Sequence, residues 1–161
     1  MSMNKNTSKI KGVDYIIEAA KFFPDVEFCI VGEGEYLNKI RSISSSNIKF
    51  LGKMNENQLA TLYNSSLIVC QPSLAEGFGL SILEAMASGC AIVSTIDIGQ
   101  TDRVIKPKDI NDLKDALNVY ISDKKLAEKN GKKNRKIAKK FTWKKYIDDL
   151  INIYDNIIQK K

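Results

Sequence analysis

The stretch LIVCQPSLAEGFGLSILEAMASGCAIVST, residues 67–95, contains a strand, a loop, a helix and a second strand in succession. Residues 67–72 and 91–95 are short runs rich in β-branched side chains, which is typical of buried strands. Between them, residues 79–89 have helical periodicity and end on a glycine, a residue that often terminates helices. Two strands joined by a helix form a right-handed crossover, so this stretch predicts a parallel sheet.

The same alternation of strand and helix extends towards the amino terminus. Further strands are predicted at 26–32 and 47–52, and further helices at 12–23, 35–44 and 55–66. Helices between successive strands cover both faces of a parallel sheet. The sequence therefore predicts an α/β fold with a Rossmann-like, doubly wound parallel sheet.

Three extra helices are predicted after the last strand, at 109–121, 123–140 and 143–158. The last of them carries an apolar stripe, which must be buried against another surface. No linker or low-complexity segment divides the chain, and 161 residues with 43% hydrophobic content are enough for one packed core. We therefore expect residues 1–161 to form a single domain.

The composition excludes several classes of protein. The chain has no histidine, which excludes Ser-His and Cys-His nucleophiles. The net charge is +6, but the basic residues concentrate between Lys124 and Lys145, which favours a solvated helix face over a nucleic-acid partner. The sequence contains neither an apolar run of membrane-spanning length nor a signal-peptide core. We expect a cytoplasmic protein whose contact with a membrane surface, where it occurs, is made through another part.

The residues that could bind metal are few. Cys29, Cys70 and Cys90 lie in apolar, strand-like runs without the paired spacing of a zinc site, and they are predicted to be buried free thiols. The chain also lacks an Asp-x-Asp pair, in which two closely spaced carboxylates can hold a divalent metal ion. The sequence therefore predicts a site that works without a metal.

Two acidic residues, Glu76 and Glu84, stand out in an otherwise apolar segment. In parallel sheets, ligands bind at the carboxyl ends of the strands, and the loop PSLAEGFG (72–79) follows such an end directly. A helix that starts near Gly79 offers free N–H groups and a positive dipole end to a phosphate, while Glu76 could accept hydrogen bonds from hydroxyl groups. The structural alternatives are a helix-start dipole partner for Glu76 and a solvated helix position for Glu84.

The segment PSLAEGFGLSILEAMASGCAIVST (72–95) resembles the signature of the GT-B-type retaining glycosyltransferases, the glycosyl transferases group 1 family, in which seven residues separate two Glu residues. The similarity covers most of the chain, because it continues in KGVDYIIEAA (11–20), FCIVGEGE (28–35), NIKFLGKM (47–54) and FTWKKYIDDLINIY (141–154). The resemblance implies the C-terminal, nucleotide-sugar-binding half of a two-domain GT-B fold. It also implies that the N-terminal, acceptor-binding domain is absent from this chain, and we expect an excised domain.

The resemblance also implies roles for individual residues. Glu76 would contact hydroxyls of the donor sugar, Glu84 would hold the ribose hydroxyls, and Lys11 would neutralise the diphosphate. The backbone around the motif would meet the diphosphate and sugar, and the loop after the second predicted strand would face the base. These two backbone sets are Gly77, Phe78, Gly79 and Leu80, and Gly52, Lys53 and Met54.

Two further departures from the family pattern concern the sheet. The family's first strand, with an Arg that also clamps the diphosphate, should precede Lys11, but MSMNKNTSKI (1–10) contains neither a strand run nor an Arg. The stretch 96–117 passes almost directly from a Gly-containing loop to a helix, without the family's sixth strand. We therefore expect a short sheet or missing residues at these two places.

The activity that the resemblance implies is transfer of a sugar from a nucleoside diphosphate sugar to an acceptor, with retention at the anomeric carbon. The donor is the substrate, and no separate cofactor is expected. Two alternatives remain open: a non-catalytic nucleotide-binding or interaction module, and an enzyme similar to a sugar-nucleotide epimerase. We expect the isolated domain to bind the donor and to transfer nothing.

Overall fold

The computed structural model describes residues 9–99 and 103–158, which form four strands and seven helices. The strands are β1 (Phe28–Val31), β2 (Ile48–Gly52), β3 (Ile68–Gln71) and β4 (Ala91–Ser94). The helices are α1 (Val13–Ala20), α2 (Leu37–Ser42), α3 (Glu56–Ser65), α4 (Leu80–Ser88), α5 (Ile110–Ser122), α6 (Lys124–Ala138) and α7 (Trp143–Ile158). Each lies within a segment predicted from the sequence except α5, which extends one residue beyond its predicted end at 121, and the predicted α/β class is confirmed.

Local sequence explains where several of these helices begin and end. Asn55 and Gln58 form a reciprocal capping box at the start of α3, and Asp109 and Asp123 cap α5 and α6. Gly89 ends α4 in the left-handed conformation, as its position in the sequence predicts.

The strands form two parallel pairs, β1–β2 and β3–β4. The predicted parallel pairing is confirmed, but the described residues do not join the two pairs into one continuous sheet. The sequence predicts that residues 1–10 lack the family's first strand, and residues 1–8 of this segment lie outside the described residues. Beyond β4, Val104 makes an isolated parallel bridge to Ser94, where the sixth strand of the family was expected to be missing.

The β3–β4 pair is covered on both faces. One face packs with α5 in a cluster that includes Val93 and Leu117, and the other packs with α4 in a cluster that includes Ile82 and Ile92. Helix α6 closes this second side: a Cβ on Gly131 would overlap the carbonyl oxygen of Gly89, so only glycine permits this approach. All four residues of β4 are buried as a result.

The β1–β2 pair is covered on one face only. Ile30 and Ile48 pack with α1 and α2 in a buried cluster. On the opposite face, Glu27 and Lys49 form an exposed ion pair at 2.5 Å, and Cys29 is exposed beside them. The prediction that all three cysteines are buried is therefore wrong for Cys29, because no helix among the described residues covers this face.

Helix α7 has no buried residue. Its apolar stripe is exposed, and Trp143, at 77% exposure, makes an edge-on contact with Tyr146. No helix in the described ranges is both long and apolar enough to cross a membrane.

Candidate functional site

The candidate site lies where the carboxyl end of β3 meets the start of the described chain. The backbone N–H of Leu74 donates to the carbonyl of Ile10 at 2.6 Å. Gly12 adopts a left-handed conformation with φ of 71°, and a Cβ there would overlap the carbonyl oxygen of Pro72. This close approach brings Lys11 to the loop that follows β3.

Glu76 is held by three donors on one carboxylate oxygen. The Lys11 ammonium and the Gln71 side-chain amide both bond to Oε1, and the Ser73 hydroxyl donates to the same atom at 3.2 Å. The side chains of Lys11 and Glu76 are 30% and 11% exposed. The carboxylate is therefore fixed in orientation, and charge-assisted bonds compensate its partial removal from water.

Three residues of this network were missed in the sequence analysis: Gln71, Ser73 and Ser81. Ser81 donates to the Gln71 amide oxygen at 2.6 Å, which orients the amide group towards Glu76. The Thr95 hydroxyl bonds to the Ser73 carbonyl and ties the loop to the end of β4. Gln71 ends the otherwise apolar strand β3 and Ser73 follows two residues later; both are buried polar residues, and that position was the signal that could have identified them.

The start of α4 faces the same loop. Gly79 adopts the left-handed conformation with φ of 86°, and none of the described side chains caps the helix. Glu76 is therefore not a hydrogen-bonding cap of α4. Because the first N–H groups of a helix lack partners within the helix, this end can receive an anion. Gly77, Phe78 and Leu80 are exposed around it.

Glu84 lies in the second turn of α4, as predicted. It is exposed, and its pKa is raised mainly by partial burial and then by the charge of Glu56. Glu84 lines a cavity of about 890 Å³ together with Lys11, Gln71 and Ser81. The position therefore suits a carboxylate that accepts hydrogen bonds from a ligand at the mouth of this cavity, and its role in ribose binding stays a prediction.

The predicted base-facing loop is separate from this cavity. Gly52 ends β2, Lys53 is exposed with its ammonium 3.8 Å from the Glu33 carboxylate, and Met54 follows. None of the three lines the cavity that contains Lys11 and Glu84. Their assignment to the base stays a prediction.

In the described ranges, no group of three or more Cys, Asp or Glu residues is arranged to hold a metal ion. The Lys11 ammonium and the uncapped start of α4 could bind an anion at this site. The carboxylates of Glu76 and Glu84 could accept hydrogen bonds from hydroxyl groups. These two chemistries suit a ligand that carries both phosphate and sugar, and metal independence stays a prediction.

Comparison with known proteins decides the family. Residues 3–137 match the family model of glycosyl transferases group 1. The chain belongs to this family. The match includes α1, the loop after β3 and α4, which together carry the candidate site, and the resemblance stated from the sequence is confirmed.

Curated relatives that match this chain are longer proteins. An uncharacterized glycosyltransferase of Methanocaldococcus jannaschii is 28% identical over 159 residues, covering 91% of this chain and 45% of the relative. Phosphatidyl-myo-inositol mannosyltransferase of Mycobacterium tuberculosis is 25% identical over 162 residues, covering 90% of this chain and 42% of the relative. The chain thus spans less than half the length of these relatives.

A solved structure supports the fold. The Staphylococcus aureus protein TarM, determined as a mutant in complex with UDP among other ligands, superposes with a TM-score of 0.77 and 25% identity. The match covers 90% of this chain and 33% of TarM. This member of the glycosyl transferases group 1 family therefore has the α/β architecture of GT-B glycosyltransferases.

Proposed function

We propose that this chain is the donor-binding part of a retaining glycosyltransferase and that it binds a nucleoside diphosphate sugar at the carboxyl end of β3. The observation that carries the proposal is the convergence of Lys11, Glu76 and the uncapped start of α4 on one loop, together with Glu84, which lines a cavity that Lys11 also lines. Membership of the family and the UDP complex of TarM support it.

The diphosphate binds at the start of α4 through the N–H groups of Phe78, Gly79 and Leu80. Lys11 then divides its charge between Glu76 and the phosphate oxygens. During transfer, the bond between the anomeric carbon and the diphosphate breaks and a bond to the acceptor oxygen forms. Lys11 and the helix end stabilise the negative charge that develops on the leaving diphosphate.

Glu76 contacts the hydroxyls of the donor sugar. Its orientation is fixed before the donor binds by Gln71 and Ser73, which lowers the entropic penalty of placing the sugar. Glu84 holds the ribose hydroxyls from the second turn of α4. The separation of the two carboxylates along the chain thus corresponds to the two sugars of the donor, with the diphosphate between them.

The acceptor requires protein outside this chain. Transfer needs the acceptor oxygen held beside the anomeric carbon, and good alignment contributes roughly 7–11 kcal/mol to catalysis. The polypeptide that makes up the remainder of the longer relatives would supply this half of the cleft. We place the complete enzyme in the cytoplasm, at the membrane surface when its acceptor is a lipid, and we expect it to work without a metal.

Ribose binding is tested with Glu84→Gln. Calorimetric titration with UDP, GDP and ADP identifies the nucleotide that binds, and the affinity of Glu84→Gln for it should fall by about 1.5–3 kcal/mol, because the charge-assisted part of the bonds is lost. The matched control is Glu56→Gln, which removes a nearby charge outside the cavity. Equal affinity for Glu84→Gln and the parent chain would show that Glu84 is only a solvated helix residue.

Sugar binding is tested with Glu76→Ala. This change should weaken binding of the nucleotide sugar much more than binding of the plain nucleoside diphosphate, because Glu76 faces the sugar. Glu18→Ala is the control, since its exposed carboxylate also has a lysine partner, Lys21, and belongs to α1. Equal losses for both ligands would assign Glu76 to loop structure alone, and circular dichroism checks that the variant is folded.

The catalytic part of the proposal is tested by release of nucleoside diphosphate from a panel of nucleotide sugars. The chain alone should release none above background. Addition of the separately expressed acceptor-binding half of the parent enzyme should restore turnover in the presence of acceptor. Turnover by the chain alone at about 1 per second or more would contradict the need for that second half.

A further inference from the structure

The junction between α6 and α7 contacts the loop at the start of α4. The ring centroids of Phe141 and Phe78 lie 5.9 Å apart, and the two ring planes are inclined at 58°. This tilted arrangement is favourable for aromatic pairs. Phe78 is one of the residues whose backbone N–H groups bind the diphosphate in the proposed function, whereas Phe141 has no part in it.

The packing of α6 on α4 brings Phe141 to this place. Gly131, in the middle of α6, abuts the carbonyl oxygen of Gly89, the residue that ends α4. Between Gly131 and Phe141, the buried side chain of Asn134 donates to the Cys90 carbonyl at 3.1 Å. As the chain proceeds along α6, its contact with α4 passes from the end of α4 to the start, so the two helices are antiparallel.

The end of α6 fixes the backbone of Phe141. The Phe141 N–H donates to the Ala138 carbonyl at 2.9 Å. Ala138 is itself buried in the cluster that contains Ile82 and Met86 of α4. Phe141 is therefore attached to the core that covers the β3–β4 pair, and its ring extends from that core to Phe78.

The segment that Phe141 contacts is short of other side chains. Gly77 and Gly79 flank Phe78, and glycine leaves the backbone unusually free. Ahead of them, Glu76 is held by its hydrogen bonds, and after them none of the described side chains caps α4. Within this Gly-Phe-Gly segment, the ring of Phe78 is the only side chain that can attach the backbone to another element.

We propose that Phe141 is a positioning residue for the diphosphate site. Its ring holds the ring of Phe78, and the contact keeps the N–H groups of residues 78–80 in the geometry that receives phosphate oxygens. Donors that are oriented before the ligand binds stabilise charge on a leaving group without reorganisation at the moment of reaction. The ligand in this inference rests on the proposed function, whereas the effect of Phe141 on the order of the loop does not.

The first arm of the test measures the order of the loop without any ligand. Amide ¹⁵N relaxation gives the order parameters of residues 78–80 in the parent chain, Phe141→Ala and Phe141→Tyr. We expect values above about 0.8 in the parent chain and in Phe141→Tyr, which keeps the ring, and below about 0.6 in Phe141→Ala. Tyr154→Ala is the control, because it removes an exposed aromatic ring from α7, and it should leave these amides unchanged.

The second arm measures binding of inorganic pyrophosphate by calorimetric titration, because this probe carries the diphosphate without ribose, base or sugar. Phe141→Ala should bind it roughly 2- to 12-fold more weakly, which is the effect expected from loss of one aromatic pair. Phe141→Tyr should restore the affinity. The double variant Phe78→Ala/Phe141→Ala should bind no more weakly than Phe78→Ala alone, because the two rings act through one contact.

The outcomes separate this inference from the proposed function. Unchanged order parameters in Phe141→Ala would overturn it and would leave Phe141 as a residue that only ends α6. Loss of order without loss of pyrophosphate affinity, or additive losses in the double variant, would also overturn it. If the parent chain binds neither pyrophosphate nor any nucleoside diphosphate, the proposed function and the diphosphate role of Phe141 both fail, and the first arm still decides whether Phe141 orders the loop. Phe141 is 41% exposed, so its removal leaves no enclosed cavity, and thermal unfolding verifies that each variant is folded.

Discussion

The two strand pairs differ in how the rest of the chain covers them. The β3–β4 pair has helices on both faces, and Ile92 and Val93 of β4 are at most 1% exposed. The β1–β2 pair has α1 and α2 on one face, and its other face is exposed at Cys29 and Lys49. The same local motif, a parallel strand pair, thus occurs once as a closed core and once as a partly open one.

This difference explains the construction of the candidate site. Glu76, Gln71, Ser73 and Ser81 all belong to the closed half, where β4 and α4 hold them. Lys11 alone comes from the segment that leads into α1 and the open half. The carboxylate side of the site is therefore held in place by hydrogen bonds within the closed half. The position of the basic side, Lys11, depends on how firmly α1 packs against the rest of the chain.

The largest expected effect is a difference in folding stability between a substitution in β4 and one in β3. Ile92→Ala in β4 should lower the free energy of unfolding by about 4 kcal/mol, because it leaves a cavity in a fully buried cluster. Ile68→Ala in β3 should lower it by about half as much, because Ile68 is only half-buried and lines the cavity of about 890 Å³. Urea denaturation measures both, and equal losses would show that β3 is as well packed as β4.

The next effect concerns the junction of the two halves. Gly12 and Gly52 have nearly the same φ, 71° and 70°, but a Cβ on Gly52 would have nothing within 4 Å. Gly52→Ala should therefore lower stability by about 1 kcal/mol through left-handed strain alone. Gly12→Ala should lower it by about 3 kcal/mol, since overpacking against Pro72 adds to the same strain.

This pair also tests whether the junction positions Lys11. Gly12→Ala should weaken binding of nucleoside diphosphate under conditions in which the variant is still folded, whereas a loss of binding for Gly52→Ala would instead implicate the loop after β2. If the two variants lose equal stability, the approach of Gly12 to Pro72 is not a tight contact. Thermal and urea unfolding with matched titrations decide the matter.

The smallest effect distinguishes the open face from the closed core by thiol chemistry. Burial raises the pKa of Cys70 to about 12 and that of Cys90 to about 11. The pKa of Cys29 is also raised, by partial burial and then by the Glu27 charge, but its side chain is accessible. At pH 8, iodoacetamide should modify Cys29 alone, at a rate that increases with pH.

Peptide mass spectrometry identifies the alkylated residue. A Cys29→Ser variant serves as the control and should show no fast phase. Modification of Cys70 at a comparable rate would mean that the cavity lined by β3 exposes Cys70 to solvent.

The sequence predicted each strand and helix because the information is local. The apolar run at 67–72 and the helical period at 79–89 are set by the side chains themselves, and Gly89 marks the helix end without reference to any other segment. The position of Glu76 at the carboxyl edge of the sheet follows in the same way, because chain order fixes which strand end a loop occupies.

Other features required the tertiary structure. Gln71, Ser73 and Ser81 converge on Glu76 only after the loop folds back, and Lys11, 65 residues away in sequence, completes the set. Such a network depends on distances between side chains on different elements, and no periodic pattern in the sequence encodes them. The residue types alone predicted the acidic residues of the site, but not the side chains that donate hydrogen bonds to Glu76.

The exposure of Cys29 shows the same limit for burial. By itself, the sequence determined the elements, their order, the parallel crossover between β3 and β4, and the edge of the sheet where the acidic motif lies. Only the tertiary structure decided that β1 and β2 are covered on one face, that β1 and β3 are not neighbours, and that both strands line one cavity. The physical reason is that the apolar pattern of a strand indicates which of its faces can be buried. Whether a face is buried depends on which other segments pack against it.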